Sequence, residues 1–213
     1  PHLLVMTATP IPRTVAMTVF GDLETSTLRQ LPKGRSEIAS HAISSAEKPQ
    51  YVERAWERAK EEVAEGRQVF IVVPRISASL FEEGLITDLD REMARAMGED
   101  LTEESSLASV EELAPFLALG PLRGVRVVPL HGRMSAEEKE SVMAAFASGE
   151  IDVLVSTTII EVGIDVPNAT MMIVMDADRF GVSQLHQLRG RVGRGAHPGL
   201  ALFMTTKPSE SAT

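Results

Sequence analysis

The run Val69-Phe-Ile-Val-Val73, closed by Pro74, constrains the fold more than any other stretch of this chain. Five β-branched or aromatic residues without a polar interruption make a strand covered on both faces rather than one. Four further apolar runs follow, Val125–Leu130, Ile151–Val155, Met171–Met175 and Leu200–Met204. Helical patterns lie between them. Val52, Ala55, Trp56, Ala59 and Val63 share one face, with Ser44 and Glu47 spaced as a capping box ahead of them and Gly66 as the stop. Ser135 and Glu138 form a second such box, followed by Val142 and Phe146 one turn apart and Gly149 as the stop. Strands alternating with helices predict an α/β fold, a parallel sheet with helices on both faces and Trp56 in its core.

The first residues read differently. Leu3–Met6 is a short apolar strand, Thr7–Arg13 a turn, and a helix runs to about Phe20 before Gly21. Residues 1–30 are therefore expected to be the last piece of a preceding α/β unit, residues 31–206 the main domain, and 207–213 a polar tail. The polypeptide reads as part of a longer protein. Residues 82–120 are expected to be an acidic insertion; Leu107, Val110, Leu113, Phe116 and Leu117 have helical spacing there but no evident place in the sheet.

The net charge of −9 argues at first against a polyanionic partner, but its distribution does not. Glu82 to Glu112 holds eleven acids and two bases, and the remaining 19 acids and 19 bases cancel. The acidic stretch would repel a phosphate backbone and should lie away from any nucleic-acid track. Cysteine is absent, which excludes disulfides and thiolate metal sites and fits a reducing cytoplasm. The histidines at 2, 41, 131, 186 and 197 show no metal-ligand spacing, so no metal site is expected from this chain. No apolar run approaches the ~20 residues of a membrane span, and no secretory leader is seen. A cytoplasmic location without a membrane partner is expected.

Two constellations carry chemistry. In Gln184-Leu-His-Gln-Leu-Arg-Gly-Arg-Val-Gly-Arg-Gly195, Arg189, Arg191 and Arg194 are separated by glycines, and no carboxylate occurs between Asp178 and Glu210. Glycine permits sharp turns and close backbone approach to a ligand, and arginine offers a permanently charged fork suited to phosphate oxygens. The second constellation, Val153 to Ala169, runs from a buried strand into Ser156, Thr157 and Thr158, then Gly163, Asp165 and Pro167. Polar residues beyond the carboxyl end of a parallel strand are where open α/β sheets bind ligands. Thr157 and Thr158 suit a phosphate and Asp165 a ribose; the same residues also suit a capped turn and loop. Arg75 and Arg133 follow predicted strands on the same edge and fit either DNA phosphates or plain solvent. His131 and His186 are assigned to packing or hydrogen bonding. The chain has no G-x-x-x-x-G-K-[ST] loop, no G-x-G-x-x-G after a strand and no G-x-S-x-G elbow. It has arginines for a polyphosphate without a self-sufficient nucleotide site.

Taken in order, these stretches resemble the motifs of superfamily 2 helicases: Met6–Thr14 resembles motif III, Ser156–Ala169 motif V, and Gln187–Arg194 motif VI. Val69–Arg75 and Leu130-His-Gly-Arg-Met134 resemble family stretches between them. Gly21-Asp-Leu, Leu31–Arg35 and Asp178–Gln187 narrow the resemblance to the C-terminal motor region of the bacterial branch-migrating DNA helicases. The likeness covers nearly the whole chain except Glu82 to about Gly120.

The resemblance implies a RecA-like second motor domain plus a short end of the first, with ATP held between two such domains. Arg191 and Arg194 then match arginine fingers, and Gln187, Asp165 and Gly163 fall on the ATP side, the Gly163 backbone also matching a nucleic-acid contact. Thr157, Thr158, Arg75 and Arg133 match DNA contacts, and Thr7 and Thr9 the link between hydrolysis and domain movement. The phosphate loop and the Mg2+ ligands are implied for the first motor domain. The implied partners are branched DNA and the N-terminal motor and wedge domains of the same polypeptide. The implied activity is ATP-dependent remodelling of branched DNA (fork regression, Holliday junction branch migration), with this segment inactive alone. A transcription-repair coupling translocase and a non-catalytic nucleic-acid-binding module with a motor fold are the alternatives.

Overall fold

The computed structural model describes residues 37–74, 110–157 and 166–208. Their order is β1 (Ile38–Ser44), α1 (Pro49–Ala64), β2 (Gln68–Val72), α2 (Val110–Leu119), β3 (Val127–Leu130), α3 (Ala136–Ala147), β4 (Val153–Ser156), β5 (Ala169–Val174), a 3-10 turn (Ala177–Arg179), α4 (Val182–Arg189) and β6 (Gly199–Thr205). The strands form one sheet in the order β1-β6-β5-β2-β4-β3, with every pairing parallel.

Side-chain alternation divides the core into two layers. Val69, Ile71, Val153, Val155, Met171, Ile173 and Leu202 pack with Trp56 and Ala59 of α1 and with Val110 and Leu117 of α2. Phe70, Val72, Leu154, Met172 and Val174 face the other way, onto Phe146 of α3 and Leu188 and Val192 at the end of α4. Handedness explains the division. The chain moves one way across the sheet from β1 through β2 to β3 and the other way from β3 through β4 and β5 to β6. Right-handed crossovers then put the helices of the two journeys on opposite faces. Phe146 is fully buried, with its ring 4.9 Å from that of Phe70.

The parallel two-faced sheet, the core position of Trp56, the apolar face of α1 and the stops before Gly66 and Gly149 agree with the sequence reading. So does the capping box of α3: the Glu138 N–H donates to Ser135 Oγ (3.2 Å) and the Ser135 N–H to Glu138 Oε2 (2.7 Å). Four points differ. Ser44 is the last residue of β1 and accepts the Glu47 N–H at 3.4 Å, while α1 starts at Pro49, whose fixed φ and missing N–H suit a first helical position. The expected buried strand at Val125–Leu130 starts at Val127 and is half-buried, because it is an edge. The other edge, β1, was not foreseen. The helical spacing near Leu113, which had no evident place, belongs to α2, whose fully buried Val110 and Leu117 pack this end of the acidic stretch into the core.

Candidate functional site

The candidate residues fall at two opposite edges of the sheet. β5 ends at the carboxyl edge, α4 runs back across the face, and Arg191 and Arg194 emerge beside the strand starts at the amino edge. With strands of four to seven residues, each rising about 3.3 Å per residue, the edges stand roughly 15 Å apart. Thr157 and Arg133 lie at the carboxyl edge.

At the amino edge the glycines position the arginine loop. Gly193 has φ +66, donates its N–H to Ala169 O (3.2 Å), and would bring a Cβ to 3.0 Å from the Gly199 backbone. A Cβ on Gly195 would lie 2.5 Å from Pro167 O. The close approach that glycine was expected to allow for a ligand is therefore made to the chain itself: the loop is pressed onto the starts of β5 and β6. Val192, fully buried, plugs it from below. Arg191 is half-buried and Arg194 exposed. The Arg191 N–H donates to Leu188 O (2.9 Å), and Arg194 Nε donates to Gly190 O (2.9 Å). That carbonyl belongs to the residue that caps the last turn of α4, where unpaired carbonyls and the helix dipole favour a cation. Gln187, half-buried in the same turn, shares this end of the helix.

The same edge is tied from below by side chains. Gln68 Nε2 donates to Phe146 O (2.6 Å) and Ile151 O (2.7 Å), and Asn168 Nδ2 to Gly66 O (2.8 Å). Arg126 reaches Asp152 Oδ2 through Nε at 2.9 Å. Burial pushes the Asp152 carboxyl up, but the bonds and charge of Arg126 outweigh this and leave it below the usual carboxylate range.

At the carboxyl edge, Leu130 pairs with Ser156, so the ends of β3 and β4 come together, and the Val73 N–H donates to Ser156 O (2.8 Å). Thr157 follows, 5% exposed. Arg133 Nη1 lies 3.9 Å from Glu111 Oε1 on α2, a loose pair. Ser156 Oγ and His131 Nδ1 are buried and lack a hydrogen-bond partner among the described residues. Sequence reasoning gave Ser156 no role of its own and assigned His131 to packing or hydrogen bonding; the available signal was a hydroxyl closing an otherwise apolar strand. Further along this edge Asp178 accepts from Thr205 Oγ1 (2.7 Å) and pairs with Lys207 (3.1 Å). Burial raises its carboxyl, and these two partners more than offset that, leaving it low. Thr7, Thr9, Arg75, Thr158, Gly163 and Asp165 lie outside the described residues.

Known proteins bear on this arrangement. Residues 102–196 match the helicase conserved C-terminal domain. The ATP-dependent DNA helicase RecG of Mycobacterium tuberculosis is 53% identical over 211 residues, 99% of this chain. The chain matches the C-terminal motor region of the RecG helicases. The RecG of Mycobacterium leprae is 56% identical over 203 residues, 95% of the chain. The matched segments make up 26% and 25% of these two proteins, so the chain spans about a quarter of the length of the curated relatives it matches. The solved structure of RecG bound to a three-way DNA junction superposes with a TM-score of 0.67 at 35% identity, over 96% of this chain and 23% of that one. The sheet is thus the RecA-like fold of RecG helicase C-terminal domains. Among the described residues no helix is long and apolar enough to cross a membrane.

Proposed function

We propose that this chain is the second motor domain of an ATP-dependent DNA translocase of RecG type that remodels branched DNA, and that a preceding motor domain completes its ATP pocket. The observation that carries this reading is the arginine loop: a backbone fixed by intrachain contacts, with Arg191 and Arg194 on the amino edge, outside the sheet.

In this reading Arg191 and Arg194 meet the polyphosphate, with Gln187 beside them and Gly163 and Asp165 on the nucleoside side. Guanidinium groups placed there before reaction neutralise charge on the transferring phosphoryl group, an effect of about 10³–10⁵ in rate. The donor set fits a polyphosphate. It does not fit a metal: no group of three His, Cys, Asp or Glu side chains able to hold one occurs among the described residues. Magnesium would be held by carboxylates of the first motor domain. Thr157, Thr158, Arg75 and Arg133 grip the DNA backbone at the other edge. Thr7 and Thr9 link hydrolysis to domain movement, and the wedge domain elsewhere in the polypeptide splits the branch, as in fork regression or Holliday junction migration.

The test compares the isolated chain, its folding checked by circular dichroism, with the intact polypeptide. With ATP, magnesium and forked DNA, the intact protein hydrolyses ATP and the isolated chain stays at background. Robust hydrolysis by the isolated chain would overturn the composite pocket.

A further inference from the structure

Glu62 is an acid where an apolar residue would be the ordinary choice. It lies in the last turn of α1, on the face that packs on the sheet, and is 3% exposed. Its carboxylate is fully engaged: Oε1 pairs with Arg58 Nη2 (2.5 Å), and Oε2 accepts from Arg67 Nε (2.5 Å) and from Thr170 Oγ1 (2.5 Å). Burial pushes this carboxyl up, and the bonds from Arg67 and Thr170 with the charges of Arg58 and Arg67 more than compensate, so it stays ionised below the usual range. A buried ion cluster of this kind is weak support for stability, since well-packed apolar residues of similar volume often do as well. Its geometry offers a different reason for it.

Thr170 is an irregular residue. β2 pairs Gln68 with Ala169 and Val69 with Met171, so the ladder skips Thr170. Such a bulge bends its strand and re-aims the residues beside it. Those neighbours are the seat of the arginine loop: Ala169 O takes the Gly193 N–H, and Pro167 O backs Gly195. The chain leaving α1 is stitched to the same segment, with the Gln68 N–H on Asn168 O (3.0 Å) and Asn168 Nδ2 on Gly66 O (2.8 Å).

We infer that Glu62 is a positioning residue for the arginine loop: by clamping Thr170 and Arg67 from the opposite face of the sheet, it fixes the bulge on which the loop is seated. This rests on the reading of Arg191 as the group that meets the polyphosphate. Glu62 itself reaches neither nucleotide nor DNA, and its influence passes through the backbone of Pro167–Thr170.

The experiment uses the intact polypeptide and measures DNA-stimulated ATPase, affinity for forked DNA and Tm for Glu62→Gln, Thr170→Val, Arg191→Ala and the Glu62→Gln/Arg191→Ala double variant. A small misplacement of a catalytic group is costly, so Glu62→Gln is expected to lower kcat about tenfold with KM for ATP and DNA affinity within about twofold. Thr170→Val should do the same more weakly. The double variant should be no slower than Arg191→Ala alone, because both changes disable one device. Defects that multiply in the double variant, or a Glu62→Gln protein with full kcat, would overturn the inference. If Glu62→Gln does not fold, Thr170→Val, made also in the Arg191→Ala background, is read by the same two criteria. Arg191→Ala measured alone separates the levels: full ATPase there removes the underlying reading and this inference with it, whereas a slow Arg191→Ala beside a fully active Glu62→Gln removes the inference alone.

Discussion

The two edges of this sheet differ in how the groups around the candidate residues are tied. At the amino edge the backbone groups and buried side chains are tied to one another. Gly193 and Gly195 are pressed against neighbouring strands, Gln68 binds two carbonyls, and Glu62 gathers two arginines and a threonine. At the carboxyl edge Ser156 Oγ and His131 Nδ1 are buried without a partner among the described residues, and Arg133 Nη1 stands 3.9 Å from Glu111 Oε1. Unmatched buried polar atoms are costly, and native proteins keep few of them. The contrast suits a division of labour. Stabilising a transition state needs cations fixed in advance, whereas a surface that grips and releases a moving strand needs groups whose partners come and go.

This contrast can be broken most forcefully at Gly195. In the intact protein Gly195→Ala places a Cβ 2.5 Å from Pro167 O, so the loop must move. We expect ATPase kcat to fall about 100-fold with DNA affinity unchanged, measured by steady-state hydrolysis and fluorescence anisotropy. A variant with normal turnover would mean that the loop need not be rigid. The reverse pattern is expected of Arg133→Ala: about tenfold weaker DNA binding, a salt slope shallower by about 1, and little change in DNA-saturated ATPase. Equal loss of both activities would erase the distinction between the edges.

Smaller effects sharpen the comparison. Ser135 caps α3 immediately after the carboxyl-edge residues His131–Met134, so Ser135→Ala should cost about 1 kcal/mol in thermal unfolding while leaving turnover intact. Glu62 supplies a pH signature. Its carboxyl is held lower in the folded state than the roughly 4.3 of an unfolded glutamate, so its contribution is complete above that value and is lost as pH falls through the folded one. Tm should therefore decline less as pH falls below about 4.3 in Glu62→Gln than in the parent. An unchanged acid limb would show that the cluster carries no such linkage.

How much of this was legible in the sequence depends on burial. β2, β4 and β5 are covered on both faces and announce themselves as unbroken apolar runs. Among the described residues β1 pairs only with β6 and leaves Ala39 to Ala42 exposed, so Ile38-Ala-Ser-His-Ala-Ile-Ser44 carries too little hydrophobic pattern to read as a strand. The arginine-glycine spacing was legible in the sequence, but the reason for the glycines was not, because Pro167 and Gly199 reach them only in the folded chain. The placement of the loop opposite Thr157 was available in principle. A helix joining two parallel strands must run back along them, so residues after α4 fall at the amino edge. Helical spacing places Glu62 with Ala55 and Ala59 on the apolar face of α1, apart from the exposed Glu57 and Glu65, but its bond to Thr170 forms only in the folded chain.

The central claim is that the arginine loop completes a nucleotide pocket from across a domain interface. Arg191→Ala in the intact protein tests it most directly, with ATPase and DNA affinity measured on one preparation. The account predicts a loss of about 10³ or more in DNA-stimulated kcat with DNA affinity retained. Full DNA-stimulated hydrolysis by that variant would contradict it.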